Sequence, residues 1–198
     1  MALANAADRM GLVTRLIHWL TAAAVLGLLV LGSTIVRMEV GLGNLWLFGL
    51  HKSLGLTVLA LTLLRIAWHR ASPPPPPIPG PPPWQMRAAR ATHGALYALL
   101  IAVPVAGLVG SSASGIDTVL FGRWTLPPVA PVSERLEAAA FAAHGVLTKL
   151  LLAAVLLHVA GAVKRGLARD GTMRRMIGGT ARATGRGTGR GTAPAAGD

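Results

Sequence analysis

Four stretches of this chain, at about residues 16–36, 50–68, 93–112 and 138–163, are apolar on every side and long enough to cross a bilayer. A hydrocarbon core about 30 Å thick needs roughly 20 residues of α-helix. Lipid offers no hydrogen bonds to a stray backbone amide, so such spans satisfy their own N–H and C=O groups as helices. The fold class that follows is all-α: an integral membrane four-helix bundle occupying residues 1–170. Composition agrees. Only 13% of the residues are charged, against about 25% in soluble domains. There is no cysteine, which excludes disulfides, thiolate ligation, covalent haem attachment through CxxCH and iron–sulfur clusters. A bound metal or cofactor must rely on histidine, methionine or oxygen donors.

The connections differ. The first, 37–49, is short. The second carries Pro73 to Pro77 and Pro81 to Pro83, a stiff non-helical strap. The third, 113–137, is longer and mixed, with a break expected at Pro127 and Pro128. After Arg169 the chain turns to Gly, Thr and Arg, with the repeat Gly185-Arg186-Gly187-Thr188, so 171–198 is expected to be a disordered basic tail. The first span exceeds the usual apolar core of a signal peptide and no A-x-A-like site follows it, so it is expected to be retained.

The net charge of +12 would suit nucleic acid, but its placement suits membrane orientation better. Arg37, Lys52, Arg123, Arg135 and Lys149 fall on one side of the four-span layout, and the other fourteen of the 19 basic residues fall on the opposite side. The positive-inside rule then puts both termini in the cytoplasm. The tail's remaining options are anionic lipid headgroups or, less in keeping with this pattern, nucleic acid. The five tryptophans lie near span ends or in loops, as interfacial belts require.

Ionisable groups within spans are the first place to look for function. His18 opens span 1, His51 opens span 2, and His144 and His158 share span 4. Fourteen helical residues return the last two to within roughly 40° of one face and separate them by about 21 Å. Antiparallel spans then set His18 level with His158 on the inner side, and His51 level with His144 on the outer side. Two bis-histidine haems, one per leaflet, satisfy this arrangement and suit electron transfer rather than oxygen chemistry at iron. Zinc ordinarily takes three or four protein ligands, and no cysteine or carboxylate cluster is at hand. Histidines merely hydrogen-bonded between helices are the plainer alternative.

Gly55, one turn after His51, leaves room for a flat cofactor, although small residues also serve ordinary membrane helix packing. Arg15 and Arg65 fall near the inner level, where guanidinium groups could meet haem propionates or snorkel to lipid phosphate. His93 opens span 3 one turn before Tyr97 and could touch a propionate or relay protons to a quinone, whereas His69 is expected to be an interfacial residue. Pro104 is expected to kink span 3.

These segments resemble the bacterial cytochrome b561 family of small di-haem membrane cytochromes. The matching residues are Arg15-Leu-Ile-His18-Trp19, His51-x3-Gly55 with Arg65, His93-x3-Tyr97 before Pro104-Val-Ala-Gly107, and His144 with His158, over about residues 13–170. The resemblance implies two haem b groups in a bacterial inner-membrane bundle that exchanges electrons with the quinone pool. It also implies a superoxide oxidase-like activity, in which periplasmic superoxide gives up an electron and ubiquinone is reduced. Lys52, Arg123, Arg135 and Lys149 are candidates for gathering the anion. Some relatives instead pass electrons as subunits of hydrogenases or formate dehydrogenases. A haem-free transporter or assembly factor is the alternative of another class.

Overall fold

A computed structural model of the chain describes residues 2–178. Four long helices dominate it: α1 (Leu12–Arg37), α2 (Leu45–Ala71), α3 (Pro83–Ala113) and α4 (Glu134–Leu167). All four are long and apolar enough to cross a membrane. A 3-10 turn, Leu42–Asn44, precedes α2, and a two-stranded hairpin, β1 (Thr118–Leu120) with β2 (Trp124–Leu126), links α3 to α4. A short helix, α5 (Thr172–Ile177), follows α4. The expected spans all lie inside the observed helices, which run several residues further into the interfacial zones. Residues 179–198, most of the segment expected to be disordered, lie outside the described residues. The first part of that segment departs from expectation, because α5 forms there. Its orphan groups find partners: Thr172 N–H donates to Asp170 Oδ1 at 2.8 Å, and Arg175 Nη1 donates to the Pro76 carbonyl at 2.7 Å.

The helix ends follow local chemistry. Pro83 sits in the first turn of α3, where a missing N–H costs nothing. The strap before it stays non-helical, as its prolines dictate. Ser133 caps α4 by accepting the Leu136 N–H, and Glu134 and Glu137 lie in the first turn, favoured by the helix dipole.

Packing is inverted relative to a soluble protein. The most buried side chains are Thr14, Ser53 and Thr62, each 1% exposed, whereas Leu20, Leu26, Leu156 and Leu157 face outward. Lipid solvates leucine as well as a protein interior does, so helix contacts are made by small residues that let backbones approach. Two such hydroxyls bond within their own helix, Thr21 to the Ile17 carbonyl and Thr62 to the Val58 carbonyl, both 2.7 Å.

Helix α1 packs on α2, α3 packs most extensively on α4, and α2 joins the two pairs. Gly107 and Gly110 let α3 approach α4. A Cβ at Gly107 would stand 3.0 Å from His144 Nδ1, and one at Gly110 would stand 2.9 Å from the Phe141 ring. An apolar layer of Val25, Val58 and Leu151 crosses the middle of the bundle. Each lies seven residues, two helical turns, from a histidine: His18, His51, and both His144 and His158. The layer therefore separates two histidine levels.

Opposite ends of the bundle are closed differently. At the terminal end, where the described residues begin and end, Asn5 Nδ2 donates to the Ser72 carbonyl, Thr14 donates to Asn5 Oδ1, and Trp68 Nε1 donates to Thr14 Oγ1. At the other end the hairpin docks on α2. The Phe121 N–H donates to Ser53 Oγ at 2.9 Å, which supports Phe121 at φ +48 in the tight turn beside Gly122. This hairpin was not anticipated from the sequence.

Candidate functional site

The terminal end and the hairpin end each hold a histidine pair. His18 of α1 faces His158 of α4 with ring centroids 6.2 Å apart, and His51 of α2 faces His144 of α4 at the same 6.2 Å. Both pairs are steeply inclined, at 62° and 71°. Two imidazoles bound at about 2 Å to one metal ion would have ring centroids about 6 Å apart, so each pair would fit as ligands of a haem iron. Among the described residues, no three His, Asp or Glu side chains converge as a metal cluster.

At the hairpin end the donor chemistry also fits. His144 Nδ1 lies 2.9 Å from the Val103 carbonyl. A carbonyl only accepts, so Nδ1 carries the hydrogen and Nε2 keeps its lone pair for a metal. His51 Nδ1 is buried without a hydrogen-bond partner among the described residues. Gly32 of α1 lies against the same ring, where a Cβ would come within 3.2 Å of Cε1. A Cβ at Gly55, one turn along α2, would meet nothing within 4 Å, which leaves room beside His51 for a flat group.

At the terminal end, Arg65 Nη1 lies 3.2 Å from His18 Nδ1. Guanidinium only donates, so this His18 nitrogen accepts. The Arg65 guanidinium carbon also lies 5.7 Å from the Tyr97 ring centroid, and its Nε is buried without a hydrogen-bond partner among the described residues. His93 packs on His158 with centroids 5.3 Å apart, a direct ring contact shorter than an axial pair would span. Arg15 turns toward the C-terminal segment, with Nη1 donating to the Ile177 carbonyl at 3.0 Å, and Trp19 Nε1 donates to the Met176 carbonyl at 3.0 Å.

The structure thus brings His18, His158, His93 and Arg65 together at one level and His51, His144 and Gly55 at the other. One contact was missed. His69, expected at the interface, has Nδ1 3.3 Å from the Tyr97 hydroxyl. The signal was available as spacing: His69 follows Arg65 by four residues and Tyr97 follows His93 by four, so each pair shares a helix face. Of the basic residues near the hairpin, Lys52 Nζ donates to the Asp117 carbonyl at 3.3 Å.

A four-span bundle with stacked histidine pairs of this spacing is the architecture of a membrane b-type cytochrome. The chain belongs to the prokaryotic cytochrome b561 family, whose model matches residues 9–179; these are membrane haem b proteins of electron transfer. It is 32% identical over 182 residues to cytochrome b561 homolog 2 of Escherichia coli (strain K12), covering 90% of this chain and 96% of the relative. It is 27% identical over 133 residues to the probable superoxide oxidase CybB of Yersinia pestis, covering 67% of this chain and 75% of that protein.

Proposed function

We infer that the protein binds two haem b groups and moves electrons from a periplasmic donor, superoxide, to the quinone pool. His18 and His158 hold one haem and His51 and His144 the other. The observation that carries this reading is the repetition of one 6.2 Å histidine spacing at two levels of the bundle. When bound, haem supplies a one-electron carrier whose iron is closed to substrate by two imidazoles. The chain's own part is to set the two sites a helical distance apart, with Val25, Val58 and Leu151 between them.

The terminal end is assigned to the cytoplasm and the hairpin end to the periplasm of a bacterial inner membrane, on the lysine and arginine asymmetry. Superoxide is an anion, and Lys52 beside His51, Arg123 on the hairpin and Arg135 give the hairpin end positive charge to attract it, whereas Lys149 lies two residues from Leu151 toward the middle of the bundle. The resemblance to the probable superoxide oxidase of Yersinia pestis supports the same donor. Arg65 serves the inner haem through charge, and His93 buttresses the His158 ring.

The test is a dithionite-reduced minus oxidised spectrum of purified protein, with a pyridine haemochrome count. Two b-type haems per chain are expected, followed by quinone reduction when superoxide is generated. Protein free of haem after haem-supplemented expression would overturn the reading.

A further inference from the structure

The pair His18 and His158 is carried by two helices that do not lean on each other. Helix α1 packs on α2, and α4 packs most extensively on α3, so α1 and α4 meet across the bundle without an extensive contact of their own. What crosses from one to the other is the segment that follows α4. Arg165, in the last turn of α4, pairs with Asp170 and donates to Thr172 Oγ1 at 3.1 Å. Helix α5 then reaches α1. There the Ile177 carbonyl accepts from Arg15 Nη1 and the Met176 carbonyl accepts from Trp19 Nε1, both at 3.0 Å. Arg15 and Trp19 flank His18 in the sequence, and the Trp19 ring stands edge-on to the His18 ring with centroids 5.1 Å apart.

Local chemistry fixes α5 in this path. Gly171 and Gly178 bound it at φ +92 and +125, where any side chain would be strained. A Cβ at Gly178 would also collide with Arg15 Nη1. The prolines of the strap offer carbonyls and no N–H. Arginines supply donors to it: Arg175 Nη1 donates to the Pro76 carbonyl at 2.7 Å, and Arg165 Nη2 donates to the Ile78 carbonyl at 3.3 Å. A helix of 6 residues is too short to hold itself. Helix α5 therefore depends on these contacts with α1, α4 and the strap.

We propose that α5 is a clasp between α4 and α1 that holds His18 in place as a ligand of the terminal-end haem, with Trp19 as the positioning residue through which it acts. This rests on the haem-binding reading above. A ligand ring tied only to its own helix moves with that helix. One whose helix is fastened to the helix of the opposite ligand keeps its distance from it. The two bonds from α1 to α5 start one residue after and three residues before His18. Releasing them lets the first turns of α1 shift relative to His158. The hairpin-end pair lies about 21 Å of helix away and does not depend on the clasp.

The experiment uses the full-length haem-loaded protein in detergent and three variants. Trp19→Phe keeps a ring beside His18 and removes the donor to Met176. Arg175→Met frees α5 from the strap, and Gly178→Ala strains its end. Hydrogen exchange over residues 172–178 reads the clasp itself. Carbon monoxide, added to the reduced protein, reads His18, because it adds only where iron has lost an axial imidazole. Haem transfer to apomyoglobin reads retention, with His144→Ala and His158→Ala as references for the spectrum of each haem. All three variants should exchange faster over α5 and show a carbon monoxide-reactive share of the terminal-end haem that wild type lacks. Transfer of that haem should quicken about fivefold in Trp19→Phe, for one lost hydrogen bond, and about tenfold in Gly178→Ala. The hairpin-end haem should keep its transfer rate and midpoint potential. Faster exchange with an unchanged terminal-end haem would overturn the proposal, leaving α5 a mere cover. Wild-type exchange in all three variants would also end it, by showing that these bonds do not hold α5. Equal loosening of both haems would end it as well, by making α5 a support of the whole bundle. A wild type without haem would instead sink the haem-binding reading, and the clasp with it.

Discussion

The two histidine levels share one spacing and differ in what holds them. At the hairpin end the ring of His144 is fixed by the Val103 carbonyl, and glycines at 32, 55 and 107 shape the space around the pair. Among the described residues, no charged side chain is hydrogen-bonded to either ring there. At the terminal end, His18 accepts from Arg65, His158 carries His93 on its face, and His69 and Tyr97 stand one turn away. One site is shaped by backbone and small residues, the other by charge. The lesson is that equal histidine spacing can be built with unequal electrostatics.

The comparison breaks most decisively at the ligands. His144→Ala should remove the hairpin-end haem and leave the other, and His158→Ala should do the reverse, each halving the pyridine haemochrome count. Each variant should keep one set of redox transitions in a potentiometric titration. Full haem content in both variants would end the pairing. Loss of both haems in either one would show that the levels fold together rather than independently.

A smaller effect tests the role of backbone shape. A Cβ at Gly107 falls 3.0 Å from His144 Nδ1 and 3.2 Å from Cε1. The ring cannot swing freely away, because Nδ1–H is tied to Val103 O at 2.9 Å. Gly107→Ala should therefore cost about 1 kcal/mol or more of stability as an overpacked contact. It should loosen the hairpin-end haem, read as faster transfer to an acceptor such as apomyoglobin. The terminal-end haem should be unaffected. Equal loosening at both levels would mean that the α3–α4 contact stabilises the whole bundle rather than one site.

Much of this difference was legible in the sequence, and the rest was hidden for identifiable reasons. The four spans and the histidine register follow from helix geometry alone, since fourteen residues nearly complete four turns and bring His144 and His158 to one face. What could not be read was anything decided by a long-range contact. The carbonyl partner of His144 lies 41 residues away, and the partner of Ser53 lies 68 residues away in a hairpin whose strands are three residues each. Arg15 illustrates the limit. Three residues before His18, it is expected to meet a propionate or lipid phosphate, and its Nη1 meets the backbone of α5, 162 residues further on. Nothing in the local pattern around Arg15 signals a helix that begins at Thr172.

The smallest and most discriminating effect lies at Arg65. Its positive charge near the His18 pair stabilises the extra electron of a reduced site, so Arg65→Ala should lower that haem's midpoint potential. A unit charge at about 10 Å in an effective dielectric near 20 is worth about 1.7 kcal/mol, which is on the order of 70 mV for a one-electron couple. Arg65 acts on the site in two ways, through its charge and through the guanidinium contact with His18 Nδ1. The haem count should stay at two, because neither axial nitrogen is removed. The hairpin-end potential should stay put, because the Val25, Val58 and Leu151 layer and about 21 Å of helix lie between. Arg65→Lys separates the two contributions. A potential that returns to wild type assigns the effect to charge, and one that stays low assigns it to the guanidinium contact with His18. An unshifted potential in Arg65→Ala would remove Arg65 from the site and leave the charge asymmetry between the levels without its main source.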